Sequence, residues 1–295
     1  MSKALKVLSP AKLNLYLEIL GKRPDGYHTL NTIFERISLF DEITVRESDN
    51  GRIKIESDAK DIPRDSRNLA YKAARLLKKD LGISKGALIR IKKRIPVGAG
   101  LGGGSSNAAS TLLGLNQLWD LRLSRQKLSA YGAKLGSDVP FFLSGASFAF
   151  GNGRGEKIKP LVPIRKKFWH IVAAPRFKVS TKGIYAEFDK IQINTGKRKR
   201  IRIDFITKKK IGEMLFNRLE EVTFRKYPKV KELKESLIAQ GVKNVLMSGT
   251  GGAVFGIVSS RKEGERIAAR FIRSKNMKVF VAATTGSADK NSISA

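Results

Sequence analysis

In Pro96-Val97-Gly98-Ala99-Gly100-Leu101-Gly102-Gly103-Gly104-Ser105-Ser106, five glycines fall within seven residues and two hydroxyls follow. These residue types in this order point to phosphate binding. Glycine lets a backbone approach an anion closely and take positive φ without strain. A helix starting directly behind the loop aims its free N–H groups and the positive end of its dipole at the same point. Ser105 or Ser106 is expected to cap that helix and to offer a hydroxyl to a phosphate or its metal. Two familiar patterns do not fit. Walker A needs Lys-Ser or Lys-Thr after its last glycine, whereas Gly104 precedes Ser105. The dinucleotide fingerprint needs an acid about twenty positions further on, and Asp120 sits inside a helical pattern instead.

Three more segments carry reactive groups. Asp138 lies in Gly136-Ser137-Asp138-Val139-Pro140-Phe141-Phe142. An acid between Gly and Pro among apolar residues is held rigidly, either as a base or as a helix cap. Lys12 and Asn14 share one strand face, with Leu13 and Leu15 on the other. Tyr27-His28 follows a turn and offers an aromatic plane with a polar tip.

The elements that must position these groups follow from periodicity. Residues 7–20, 29–39, 42–47, 52–57 and 88–92 read as strands. Residues 68–81 read as a helix, stopped by Gly82, and 124–135 as another, started by Ser124. Leu112, Leu113, Leu115, Leu118 and Trp119 extend the helix behind the glycine loop. A strand at 148–150 closes the first block. The second block has strands at 168–174, 245–247, 253–258 and 278–283 and helices at 211–216, 228–240 and 262–276. The order predicts an α+β chain of two domains, 1–158 and 159–295.

Composition narrows the function. The 295 residues are 41% hydrophobic and contain no cysteine, which excludes disulfides, thiolate catalysis and zinc–thiolate sites. Two histidines, His28 and His170, exclude a histidine-rich metal site. No run approaches eighteen apolar residues, and the first eight residues are too short for a secretory leader. The expectation is a cytoplasmic enzyme without a membrane partner. The net charge is +32, from 58 Lys and Arg against 26 Asp and Glu. A charge of this size reflects a compositional habit with lysines on a solvated surface, steers polyanions toward a cleft, or serves as a nucleic-acid footprint. Apart from Lys197–Arg202 and Lys208–Lys210, which read as an exposed loop, the basic residues are scattered, which disfavours a specific nucleic-acid partner.

Read together, the segments resemble a known family. The glycine loop is similar to the phosphate loop of the GHMP kinase superfamily. Pro10-Ala11-Lys12-Leu13-Asn14-Leu15 and Gly21-Lys22-Arg23-Pro24-Asp25-Gly26-Tyr27-His28 resemble the N-terminal signature of the 4-diphosphocytidyl-2-C-methyl-D-erythritol kinase family. Gly136–Pro140 and Met247-Ser248-Gly249-Thr250-Gly251-Gly252-Ala253-Val254-Phe255 resemble its later motifs, in the family's order. The resemblance runs from about residue 7 to 285; Gly252 stands where the family often has alanine, and Tyr185 where it has an aromatic that is sometimes phenylalanine. It implies the two-domain GHMP kinase fold with the active site in the cleft between the domains. It also implies ATP-dependent phosphorylation of a tertiary hydroxyl, the 2-hydroxyl of the erythritol unit, on the methylerythritol phosphate route to isoprenoid precursors. On the same basis Lys12 and Asp138 are catalytic. Asn68, Lys93 and the loop from Pro96 to Ser106 hold ATP. Asn14, Tyr27, His28, Thr181 and Tyr185 hold the substrate, with the cytosine between Tyr27 and Tyr185. Magnesium is expected, without assignable ligands, and the enzyme is expected to be a monomer or homodimer. The alternatives are another GHMP small-molecule kinase, acting on mevalonate or homoserine, and a basic nucleic-acid-binding protein.

Overall fold

The computed structural model describes residues 3–161, 167–191, 211–271, 274, 276–286 and 293–294. The basic runs Lys197–Arg202 and Lys208–Lys210 lie outside the described residues.

Two long antiparallel strands, β1 (Ala4–Lys22) and β2 (His28–Ser48), form the spine of the first sheet. The turn between them is closed by Arg23 N donating to Tyr27 O at 2.7 Å. β2 fuses the two strands expected at 29–39 and 42–47, its register against β1 shifting near Pro10 and Ala11. β3 (Ile53–Ser57) and β4 (Gly86–Lys92) extend the sheet beyond β2, while β5 (Phe148–Asn152) also pairs with β2 and carries β6 (Lys157–Pro160) at its edge. One face is covered by α1 (Leu69–Asp80), α2 (Gly103–Leu118), α3 (Arg125–Leu135) and α4 (Val139–Ser144). α2 is the central helix. Its Ala108, Ala109, Leu112 and Leu115 pack with Val7, Ile43 and Val45 of the sheet and with Ala73 and Leu77 of α1. Gly114 lets it sit that close: a Cβ there would stand 2.9 Å from Val45 Cγ2.

The second half supplies β7 (Trp169–Pro175), α5 (Thr181–Phe188), α6 (Ile211–Met214), β8 (Phe216–Asn217), α7 (Glu220–Lys226), α8 (Pro228–Ala239), β9 (Lys243–Met247), β10 (Val254–Val258), α9 (Arg261–Ala269), β11 (Met277–Ala283) and β12 (Ile293–Ser294). Its antiparallel sheet has the order β11-β7-β10-β9. The halves are stitched together. β8 and β12 pair with β1 of the first sheet. Leu13, Leu15, Ile33 and Ile37 share a core with Val172, Leu246 and Phe255 of the second sheet. The boundary expected at 158/159 falls inside β6. The helix expected at 262–276 ends at Ala269. Helices α4, α5 and α7, with at most eight residues each, are too short to show a clear period and were not expected.

Candidate active site

A cleft of about 1080 Å³ opens between the halves. Pro96, Val97, Gly98, Ala99, Gly100, Leu101, Gly102, Gly103, Gly104 and Ser105 line it, facing Thr181, Lys182, Tyr185, Asp189, Gly249 and Thr250 of the second half. The loop is fastened by its carbonyls. Val179 N donates to Gly98 O at 3.0 Å, Ala253 N to Ala99 O at 3.0 Å, Ser248 Oγ to Gly100 O at 3.1 Å, and Lys12 N to Leu101 O at 3.0 Å. From Gly100 to Ser105 no backbone N–H donates to a protein acceptor among the described residues. Pinned carbonyls and unpaired N–H groups at a helix N-terminus make an anion cradle. The cap differs from expectation. Gly102, at φ 70°, is the N-cap, and neither serine takes that role. Ser105 lines the cleft, whereas Ser106 is fully buried, its N–H donating to Gly102 O and its hydroxyl bonded to Ser9 Oγ at 2.9 Å. Alanine-rich packing of the following turn against the sheet turns Ser106 inward.

Lys12 and Asn14 lie on the cleft side of β1, yet neither is solvated: they are 3% and 2% exposed. Strand β1 is buried on both faces here, because Leu13 and Leu15 meet the second sheet. Lys12 Nζ donates to Asn14 Oδ1 and lies 3.5 Å from Asp138 Oδ2. Asn14 Nδ2 donates to Thr32 Oγ1 at 2.8 Å, which in turn donates to Tyr16 O at 2.7 Å, so the amide's orientation is fixed. Asp138 occupies the N-cap position of α4 but makes no capping bond with its side chain. Its carboxylate stays partly exposed, at 31%, in the cleft.

Lys93 leads into the loop. Its Nζ is paired with Asp41, which is completely buried. Asp41 Oδ2 also accepts from Asn107 Nδ2 at 2.9 Å, and Oδ1 accepts from Arg94 N at 2.7 Å and Ile95 N at 2.9 Å. One carboxylate of strand β2 thus ties that strand, the loop entry and α2 together. Lys93 is close beneath the helix start: a Cβ on Gly103 would stand 3.2 Å from its Nζ. Asn68 borders the same end of the cleft as the N-cap of α1, its Oδ1 accepting from Ala70 N at 2.9 Å and its Nδ2 donating to Pro63 O at 2.7 Å.

At the opposite end stand the aromatic groups. Tyr185 stacks on His28 with centroids 5.0 Å apart and planes 21° apart. Burial, and then the charge of Asp138, push the Tyr185 phenol above its usual range. Tyr27 is 55% exposed, with the Arg154 guanidinium 4.8 Å above its ring. Thr181 Oγ1 shares a 3.1 Å hydrogen bond with Thr250 Oγ1. Tyr27, His28, Thr181 and Tyr185 all line the cleft, but His28, not Tyr27, is the ring lying against Tyr185.

Several positioning groups escape a reading of the sequence. Asn217 Nδ2 donates to Met247 O at 2.8 Å and Gly249 O at 2.7 Å, holding the second glycine turn against Lys12 and Asn14. Asp41 carries a signal: Leu39, Asp41, Ile43 and Val45 alternate inward, and an acid in that series demands partners. Asn217 and Asp189 carry none, since each acts through contacts distant in the chain.

A strand, a glycine loop pinned by its carbonyls and a helix beginning under it, with a Lys–Asp pair beside it, define the class of protein. The description "GHMP kinases N terminal domain" matches residues 68–146 and "GHMP kinases C terminal" matches residues 206–276, so the chain is a GHMP kinase. It is 43% identical over 262 residues to a 4-diphosphocytidyl-2-C-methyl-D-erythritol kinase of Bacillus pumilus, covering 88% of this chain and 90% of that one. It is 38% identical over 280 residues to the enzyme of that name from Clostridioides difficile, covering 94% of each. A crystal structure of 4-(cytidine 5'-diphospho)-2C-methyl-D-erythritol kinase superposes with a TM-score of 0.80 at 33% identity, covering 95% of this chain and all of that one. The chain belongs to the 4-diphosphocytidyl-2-C-methyl-D-erythritol kinase family. A homoserine kinase from Cytophaga hutchinsonii, at TM-score 0.71 and 20% identity, shares the fold. Kinases of this family take the phosphoryl group from ATP. No helix among the described residues is long and apolar enough to cross a membrane.

Proposed function

We propose that the chain transfers the terminal phosphoryl group of ATP to the 2-hydroxyl of 4-diphosphocytidyl-2-C-methyl-D-erythritol, in the cytoplasm, as a monomer or homodimer. The observation that carries the reading is the carboxylate of Asp138. It stands at a helix N-cap position without capping, and faces Lys12 at 3.5 Å in the cleft instead. Phosphoryl transfer asks for an aligned nucleophile and stabilised charge more than for covalent chemistry. Asp138 accepts the proton of the attacking hydroxyl. Lys12, fixed by Asn14, orients Asp138 and offsets charge developing on the transferred group. The unpaired N–H groups from Gly100 to Ser105 hold the phosphates of ATP, whose nucleoside lies toward Lys93 and Asn68. The 1080 Å³ cleft is at the upper end of small-molecule sites, which suits two substrates side by side rather than a nucleic acid.

Magnesium fits this donor set. It takes few protein ligands and otherwise binds phosphate oxygens and water. Ser105 is an oxygen donor of the cleft beside the phosphate loop that would hold it, and when bound it would neutralise phosphate charge.

The cytosine is assigned to the aromatic end, against Tyr185 and Tyr27 and with its polar edge toward His28. Tyr185→Ala is expected to raise KM for the diphosphocytidyl substrate about tenfold, as loss of one base–aromatic stack does, with KM for ATP within about twofold. Tyr185→Phe is expected to stay within about threefold of the parent, because stacking needs the ring alone. Steady-state kinetics with each substrate varied in turn checks this. An equal rise in both KM values for Tyr185→Ala would indicate a loosened cleft, not a lost stack.

A further inference from the structure

Asp189, at the C-cap of α5, takes no part in the phosphoryl transfer itself, yet it makes the one side-chain hydrogen bond of His28 among the described residues. Asp189 Oδ1 lies 2.7 Å from His28 Nε2, and Asp189 Oδ2 accepts from Lys22 Nζ at 2.7 Å. Burial opposes ionisation of Asp189, but the bonds from Lys22 and His28 prevail and hold its carboxyl below the usual range. An ionised carboxylate is an acceptor only, so Nε2 carries the ring proton facing it. His28 is enclosed by Tyr185 on its face and by Phe188, edge-on at 5.9 Å. With Nε2–H committed to Asp189, the ring is held in its Nε2–H tautomer, whose Nδ1 is an acceptor, and Nδ1 has no partner among the described residues.

Cytosine and uracil differ where such an acceptor reads. Cytosine presents the N4 amino donor, and uracil presents a carbonyl oxygen at the same place. We propose that Asp189 is the residue that sets base choice: by fixing the His28 tautomer it makes Nδ1 an acceptor, which takes a cytosine amino group and rejects uracil. The proposal rests on the reading that the pyrimidine lies against Tyr185 and Tyr27 with its polar edge toward His28. Asparagine at 189 presents either an oxygen or an NH2 to Nε2, so it no longer dictates the tautomer.

The test compares the full-length parent with Asp189→Asn. Two quantities are measured: kcat/KM on the diphosphocytidyl substrate and on its diphosphouridyl counterpart, and the 15N spectrum of the histidines. The chain has two, His28 and His170, so assignment needs one substitution. The expected result is an Nε2–H tautomer of His28 in the parent and a mixed population in Asp189→Asn. The cytidine-to-uridine preference is expected to fall about tenfold or more, through a higher KM for the cytidine substrate and a lower one for the uridine substrate. A parent that discriminates, with an Asp189→Asn variant of the same tautomer and the same preference, overturns the proposal alone. A parent that turns over both bases equally overturns the base-edge reading, and the proposal with it.

Discussion

Asp138→Asn is expected to lower kcat about a hundredfold or more, the contribution of a positioned base, while KM for ATP stays within about twofold. The amide is nearly isosteric and cannot take the hydroxyl proton. The fold has little to lose, because the Asp138 side chain makes no capping bond to α4. Lys12, 3.5 Å away, loses its counter-charge but keeps Asn14 as a hydrogen-bond partner. Steady-state kinetics, with a melting curve to confirm folding, checks the result. Activity within a few-fold of the parent would reduce Asp138 to a structural residue and leave the cleft without an assigned base.

The second large effect concerns the loop. Gly100→Ala is expected to raise KM for ATP more than tenfold and to lower the melting temperature. Gly100 has φ 76°, where an L side chain is strained. A Cβ there would stand 2.1 Å from Ser248 O and 3.1 Å from Gly251 O. Both atoms are backbone, so the clash is relieved only by separating the phosphate loop from the second glycine turn. That separation breaks the Ser248 Oγ bond to Gly100 O and disturbs the N–H groups beyond it. Gly82→Ala isolates the two causes. Gly82 also has positive φ, 63°, but a Cβ there meets nothing within 4 Å. Gly82→Ala is expected to cost some stability and leave KM for ATP alone. Equal kinetic behaviour of the two variants would show that backbone strain, not the docking of the loop, carries the effect.

What the sequence discloses of this site is what lies in contiguous segments. The glycine loop, Gly136–Pro140, Tyr27-His28 and Met247–Phe255 are short runs whose residue types state their chemistry, and all four meet at one cleft. The long helices and the β-strands of both sheets follow from period, since their apolar residues face single cores. What is hidden depends on pairing between distant segments. The burial of Lys12 and Asn14 is hidden because alternation reports two faces, not what covers them; the second sheet covers Leu13 and Leu15 and the cleft encloses the other two. Ser106 reads as a cap because Ser and Gly both serve there, and the close packing of α2 against β1 decided for Gly102. The return of Phe216–Asn217 to β1 joins residues two hundred positions apart and leaves no local trace.

The phosphoryl acceptor is read most directly by incubating the purified chain with ATP labelled on its terminal phosphate, magnesium and 4-diphosphocytidyl-2-C-methyl-D-erythritol, with mevalonate and homoserine as parallel substrates. The expected result is stoichiometric ADP and label on the 2-position oxygen of the erythritol unit, with neither parallel substrate labelled. Label on mevalonate or homoserine, and none on the diphosphocytidyl compound, would contradict it.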